Sequence, residues 1–155
     1  MNPEQHRFHV TIASRFENID LVQVVLQDAL ENLNVSEDTL HWVDLAVREA
    51  VANAIRHGNQ QDPAKKVDVD FELDGDEVVI RVQDEGEGFI PEEVPDPLAA
   101  ENLLRPGGRG LLYMRNSMDA IDCGPCSDGG TVVTLRKRIQ RKPEGEGQLQ
   151  EESDS

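Results

Sequence analysis

Apolar residues along this chain follow two different spacings, and each spacing predicts a different kind of element. In several segments apolar and polar residues alternate, which is typical of strands with one buried face. Phe8, Val10 and Ile12, for example, stand at every second position. The turn at residues 74–76 suits an antiparallel hairpin between two such strands. The predicted strands cover residues 7–12, 66–73, 77–83 and 130–139, with another at 120–123 on a weaker pattern.

Other segments carry apolar residues at three- and four-residue intervals, the spacing of amphipathic helices. The second of these helices begins after Ser36, whose hydroxyl can cap the first turn, and two acidic residues follow it. Gly58 is the expected stop of that helix. The predicted helices cover residues 17–33, 37–57 and 110–118.

The order of these elements predicts an α+β fold. We expect a two-layer α/β sandwich, in which one mixed, mostly antiparallel sheet carries the helices on one face. Residues 1–141 are expected to form this single domain. The connection at residues 92–108 contains three prolines. It is longer than ordinary loops and is therefore expected to act as a functional lid.

The charge balance excludes several classes of function. Of 155 residues, 31 are acidic and 15 basic, and the formal net charge is −16. Nucleic acid or an anionic membrane would require clustered Lys and Arg, so neither partner is expected. No apolar run approaches the roughly 20 residues of a membrane span, and no secretory signal pattern is present. A cytoplasmic protein is therefore expected. Residues 142–155, with five acidic side chains and one basic, are expected to form a disordered acidic tail.

Candidate chemistry begins on the second half of the long predicted helix. Glu49 and Asn53 are four residues apart, so their side chains point the same way one turn apart. A carboxylate and an amide so placed could hold a hard cation, or the carboxylate could accept a proton. A polar helix face in water explains the same pair, and His57 near the helix C-terminus is explained by the helix dipole.

Two glycine-rich segments offer a second kind of chemistry. A predicted strand runs into Asp84, followed by Gly86 and Gly88, where glycine permits positive φ or close approach of the backbone to a ligand. Pro91 stands where a dinucleotide fingerprint needs its third glycine, so a Rossmann site is excluded. The second segment, residues 105–110, precedes a predicted helix whose N-terminal amides could bind phosphate oxygens. An ordinary glycine turn is the alternative for either segment taken alone.

The segment from Cys123 to Cys126 has the spacing of thioredoxin-like dithiols. A strand follows it instead of the helix that this chemistry needs, and two thiols alone make a poor zinc site. A hairpin turn is therefore the favoured interpretation, with a reactive dithiol as the alternative.

In this order the motifs resemble those of the GHKL ATPases, whose ATP pocket has a helical N box and two glycine boxes. More closely, the chain resembles the anti-sigma factor/serine-protein kinase family of that group. The N box of that family, Glu-Ala-Val-x-Asn-Ala-x-x-His-Gly, is matched at every specified position by residues 49–58. The segments at 84–89, 108–111 and 118–119 continue the resemblance, which covers about residues 7–137.

The resemblance implies a role for each matched residue. Glu49 would be the general base, Asn53 the Mg²⁺ ligand, and Asp84 the partner of the adenine amino group. Guanine would present a carbonyl oxygen to the same carboxylate, which implies selection of ATP over GTP. The other residues implied to contact the nucleotide are His57, Gly86, Gly88, Phe89, Arg105, Gly108, Arg109, Gly110 and Leu111.

The implied function is that of an ATP-dependent protein serine kinase that is also an anti-sigma factor. It would sequester a sigma factor, phosphorylate a serine of an anti-anti-sigma antagonist, and form a homodimer. The alternative is an ATP-binding interaction module of the same fold with little or no kinase activity. This alternative is kept because residues 97–108 contain no lysine. Contact with the terminal phosphates would therefore have to come from Arg105 or Arg109. A histidine-kinase catalytic domain is disfavoured, since no helix with a phosphoacceptor histidine precedes the domain.

Overall fold

The computed structural model describes residues 5–86, 118–126 and 129–141. The elements are β1 (Gln5–Ala13), α1 (Ile19–Asn32), α2 (Glu37–Asn53), β2 (Lys66–Asp74), β3 (Glu77–Gln83), β4 (Ala120–Pro125) and β5 (Thr131–Arg138). The five strands form one sheet in the order β1-β2-β3-β5-β4, and every pairing among them is antiparallel.

The hydrophobic core lies between one face of the sheet and the two helices. In β2 the alternate residues Val67, Val69, Phe71 and Leu73 are buried, because successive side chains of a strand point to opposite faces. The helices cover this face with residues at three- and four-residue spacing. These are Ile19, Val22, Leu26, Ala29 and Leu30 of α1, and Val43, Ala46, Val47, Ala50 and Val51 of α2.

The opposite face of the sheet is polar and carries ion pairs between neighbouring strands. The guanidinium of Arg7 donates to the Asp70 carboxylate at 3.1 Å, and that of Arg81 lies 3.5 Å from the Glu72 carboxylate. Because both arginines remain exposed to solvent, these pairs contribute little to stability. The fold therefore depends on the core beneath the helices.

The predicted α+β sandwich is confirmed, but the expectation of a mixed sheet is wrong for the described strands, because all four pairings are antiparallel. The strand predicted at residues 77–83 has those bounds, and the weakly predicted strand at 120–123 is present and extends to Pro125. The first helix begins later than predicted, because a 3₁₀ turn (Phe16–Asn18) precedes it. Ser36 caps α2 as predicted, its Oγ accepting the Thr39 amide at 3.3 Å.

The long helix ends at Gly58 as predicted, but its last turn is not α-helical. The α-helical part ends at Asn53, and a π-helical turn (Ala54–Gly58) follows it. Gly58 does not have the positive φ of a helix-terminating glycine; the chain instead turns away at Gln60 and Gln61, whose φ angles are 53° and 59°. The glycine at position 58 therefore needs another explanation, which its contacts supply.

Several predicted segments lie outside the described residues: the lid at 92–108, the tail at 142–155 and nearly all of the helix at 110–118. Met118, the last residue of that predicted helix, is buried in the core. The extent of the domain, residues 1–141, stays a prediction. Within the described part of the chain, no helix is long and apolar enough to cross a lipid bilayer.

The burial pattern of α1 predicts the stability of two matched variants. Leu30 is 0% exposed and Leu21 is 57% exposed. Leu30→Ala should lower the free energy of unfolding by about 2–5 kcal/mol, since it leaves a cavity in the core. Leu21→Ala, the same change on the outer side of the same helix, should alter it by no more than about 0.5 kcal/mol. Urea unfolding measures both, and equal losses would contradict the orientation of α1.

Candidate functional site

Among the buried residues of the described structure, Asp84 is the one acidic side chain; it directly follows β3 and is only 6% exposed. A buried carboxylate is costly unless it is hydrogen-bonded. Its Oδ1 accepts two backbone amides, that of Gly86 at 2.9 Å and that of Thr131 at 3.1 Å. The Asp84 amide in turn donates to the Thr131 carbonyl at 3.0 Å. The carboxylate is therefore fixed between the ends of the neighbouring strands β3 and β5.

Three glycines pack directly around Asp84: Gly86 from the same segment, and two from segments distant in the sequence. A Cβ atom added to Gly58 would overlap the carboxylate and lie 2.8 Å from the Asp84 Cβ. A Cβ on Gly86 would overlap the Gly58 carbonyl, and one on Gly130 would overlap the Asp84 carbonyl. These positions require glycine because backbones approach closely. This set, Gly58, Gly86 and Gly130, is called the glycine shell below.

The glycine shell accounts for Gly58, which the sequence suggested as a helix stop. The shell also agrees with the expectation that Gly86 permits a close approach of the backbone. The group that approaches Gly86 here is the Gly58 carbonyl and not a ligand. The end of α2, the turn after β3 and the start of β5 therefore meet at one carboxylate. A side chain at any of the three positions would separate them.

The π-helical turn links this shell to the predicted N box. Glu49 and Asn53 lie in the last turns of α2, and both are half-buried. His57 lies within the π-helical turn and is exposed. Single π-helical turns are often found at functional sites. The structure thus places Glu49 and Asn53 on the helix that leads into the turn contacting Asp84. That these residues form one site stays a prediction.

The remaining predicted site residues lie outside the described residues, and their roles stay predictions. They are Gly88, Phe89, Arg105, Gly108, Arg109, Gly110 and Leu111.

Sequence reasoning missed two residues of this site. Thr131 binds Asp84 through its backbone, and the signal for it was weak: a Gly-Thr pair at the start of a strand. Asn59 is 0% exposed, and its side chain bonds to Ser14, Lys66 and Glu85. An asparagine after a glycine is typical of a turn, so the sequence pattern did not distinguish it from a surface residue.

The two cysteines lie where β4 joins β5. The Cys126 amide donates to the Gly130 carbonyl at 2.7 Å, which agrees with the hairpin interpretation. Since Gly124 and Pro125 belong to the extended strand β4, strand geometry separates the two cysteine Cα atoms by roughly 10 Å, beyond the reach of a disulfide. Desolvation of the thiol, and then the charge of Asp84, raise the pKa of Cys123, although much of the residue is exposed. These features disfavour a reactive dithiol.

Comparison with known proteins places most of this chain in one family. Residues 12–137 match the model of the histidine kinase-like ATPase domain. The chain is similar to the anti-sigma F factor of Geobacillus kaustophilus, with 32% identity over 140 residues that cover 88% of this chain and 95% of the relative. It is also similar to the anti-sigma F factor of Bacillus subtilis, with 27% identity over 139 residues and the same two coverages.

Two solved structures share the fold. One contains the RsbU and RsbW domains of Rv1364c from Mycobacterium tuberculosis, with a TM-score of 0.65, 22% identity, and coverage of 88% of this chain and 33% of that one. The other is the SiaB–SiaC complex from Pseudomonas aeruginosa, with a TM-score of 0.61, 14% identity, and coverage of 86% of this chain and 88% of that one. At these identities the likeness concerns the fold.

The glycine shell predicts a stability difference between two glycine variants. Gly58→Ala should lower the free energy of unfolding by about 1–3 kcal/mol, because the new methyl group overlaps the Asp84 carboxylate. Gly124→Ala is the matched control, since a Cβ there meets nothing within 4 Å, and its effect should stay within about 0.5 kcal/mol. Denaturant titration compares them. If Gly58→Ala is as stable as Gly124→Ala, the shell is not packed as described.

Proposed function

Since this chain belongs to the histidine kinase-like ATPase domain family, and to its anti-sigma factor group, we propose that it is an ATP-binding anti-sigma factor with protein serine kinase activity. It sequesters a sigma factor and phosphorylates a serine of an anti-anti-sigma protein. In this proposal it works as a homodimer in the cytoplasm. The observation that carries the proposal is the buried carboxylate of Asp84, held within the glycine shell at the end of the N-box helix.

The Asp84 carboxylate suits recognition of adenine. Its Oδ1 accepts two backbone amides, so we assign Oδ2, the oxygen that a Cβ on Gly58 would overlap, as the acceptor for the exocyclic amine of adenine. A carboxylate ion offers only acceptors, whereas guanine presents a carbonyl oxygen at the corresponding position. A buried acceptor facing another acceptor is costly, which favours ATP over GTP. A flat base that binds beside the end of a strand also requires backbone segments that approach closely, and these glycines permit such an approach.

The N-box residues suit the other end of the nucleotide. The amide oxygen of Asn53 is a hard ligand for Mg²⁺, and a single neutral ligand implies that the metal enters together with phosphate oxygens. Bound ATP supplies the phosphoryl group. Glu49 accepts the proton of the attacking serine hydroxyl, since it lies one helical turn from Asn53 on the same helix. In this proposal Gly88 lines the base pocket with Gly86. Gly108 and Gly110, together with Arg105 or Arg109, complete the phosphate contacts.

The adenine assignment predicts the effect of Asp84→Asn on nucleotide affinity. The neutral amide is a weaker acceptor than the charged carboxylate, so ATP should bind about 5- to 150-fold more weakly, which corresponds to about 1–3 kcal/mol. Asp28→Asn removes the same charge from the exposed surface of α1 and should leave ATP affinity unchanged. Isothermal titration calorimetry with ATP and GTP measures this. Unchanged ATP affinity for Asp84→Asn, or equal affinity of the unmodified protein for ATP and GTP, would contradict the assignment.

The kinase assignment predicts the effect of Glu49→Gln. This change preserves shape and removes basicity, so transfer of labelled γ-phosphate to the anti-anti-sigma serine should fall by roughly 10²–10⁴-fold. ATP affinity and sigma-factor binding should hardly change, because neither requires the proton. Glu31→Gln, on the exposed surface of α1, should retain transfer.

Two results would redirect this proposal. If the unmodified protein binds ATP and a sigma factor but transfers no phosphate, the chain is a nucleotide-gated interaction module. If Glu49→Gln loses ATP affinity outright, Glu49 binds the nucleotide or supports the structure and is not the base.

A further inference from the structure

Asn59 is a fully buried polar residue at the junction of three segments. It directly follows the π-helical turn, and its backbone N–H donates to the Ala54 carbonyl at 2.8 Å. Its side-chain Nδ2 donates to the Ser14 Oγ at 2.7 Å and to the Lys66 carbonyl at 3.0 Å. Its Oδ1 accepts the Glu85 amide at 2.8 Å. Both amide protons and the oxygen are therefore used, each by a different segment.

The partners fix the orientation of this amide group. The Lys66 carbonyl can only accept a hydrogen bond, and the Ser14 hydroxyl gives its own proton to the Lys65 carbonyl at 2.7 Å. Both groups therefore need a donor from Asn59. The Glu85 amide can only donate, so it needs the Asn59 oxygen. Only an amide side chain of this length meets all three requirements; a carboxylate would oppose two acceptors in a buried place.

Glu85 is held a second time by its own side chain. Its Oε1 accepts the Lys66 amide at 2.7 Å, while the Lys66 carbonyl accepts from Asn59. Asn59, Lys66 and Glu85 thus form a closed ring of hydrogen bonds. Glu85 lies between Asp84 and Gly86, and the Gly86 amide is one of the two that bind the Asp84 Oδ1. The ring therefore fixes the backbone on which the Asp84 carboxylate is mounted.

We infer that Asn59 is a positioning residue of the nucleotide site: by holding the Glu85 amide, it sets the Asp84 carboxylate against the exocyclic amine of adenine. This inference rests on the proposed function, because it assigns Asp84 to adenine. It extends that function by naming a residue that determines base selectivity without touching the base. A purely structural role would lower stability and leave selectivity unchanged, since selectivity depends on where the carboxylate lies.

The test compares two nucleotides that differ only in the amine. ATP carries it, and purine ribonucleoside triphosphate lacks it, so the ratio of their dissociation constants reports the contacts of this amine, which the proposal assigns to Asp84. The unmodified protein should prefer ATP by about tenfold or more. In Asn59→Asp this preference should fall at least severalfold towards unity. Asn18→Asp is the matched control, because Asn18 also donates its side-chain amide, to the Ala13 carbonyl at 3.0 Å, outside the ring. It should keep the full preference.

If Asn59→Asp does not fold, a second variant tests whether the ring of hydrogen bonds sets the preference for ATP. Glu85→Ala removes the bond to the Lys66 amide from an exposed side chain, and it should also reduce the preference severalfold. If the unmodified protein prefers ATP and the folded variants of Asn59 and Glu85 retain that preference, the inference is wrong. A similar loss in Asn18→Asp would also overturn it. If the unmodified protein binds both nucleotides equally, the adenine assignment fails, and with it the proposed function.

Discussion

A single buried carboxylate determines how this site is built. Asp84 is taken out of water at the end of β3, and a charge in such a place must be surrounded by donors and held in a fixed position. Two backbone amides supply the donors, and three glycines let the surrounding segments approach closely enough to hold it. The antiparallel pairing of β3 with β5 makes this possible, because it places the residue after Gln83 beside the residue before Val132. The sheet thus places Asp84 beside Thr131, and the glycines allow the surrounding backbone to come close to the carboxylate.

The rest of the site is attached to this carboxylate through the end of α2. The core residues of α2 fix the helix on the sheet, and the π-helical turn brings Gly58 against Asp84. Asn59 then joins the same point to Ser14, which directly follows β1, and to Lys66 at the start of β2. Glu49 and Asn53 are therefore placed relative to Asp84 by packed elements of the fold, as the proposed nucleotide site requires.

Much of this was predictable from the chain, because the relevant signals are local. The alternation in β2 and β3 and the helical spacing of α1 and α2 predicted the sandwich, and the Asp84 and N-box motifs predicted which segments would meet. What local signals could not show was the tertiary reason for particular residues. The sequence predicted Gly58 only as a helix stop, but the residue also allows close packing against Asp84. The sequence around Asn59 is typical of a turn. Its side chain can be buried because it forms hydrogen bonds with Ser14, Lys66 and Glu85, which are distant in sequence. β4 gave a weak pattern because none of its residues is buried.

The structure of the protein with ATP bound is the most direct measurement of the central claim, that Asp84 reads adenine from a position fixed by the surrounding backbone. The account predicts that the adenine amine lies about 3 Å from an Asp84 carboxylate oxygen. It also predicts that the Gly86 and Thr131 amides still bind the other oxygen. An adenine bound away from Asp84, or a carboxylate that must leave both amides to reach it, would contradict the account.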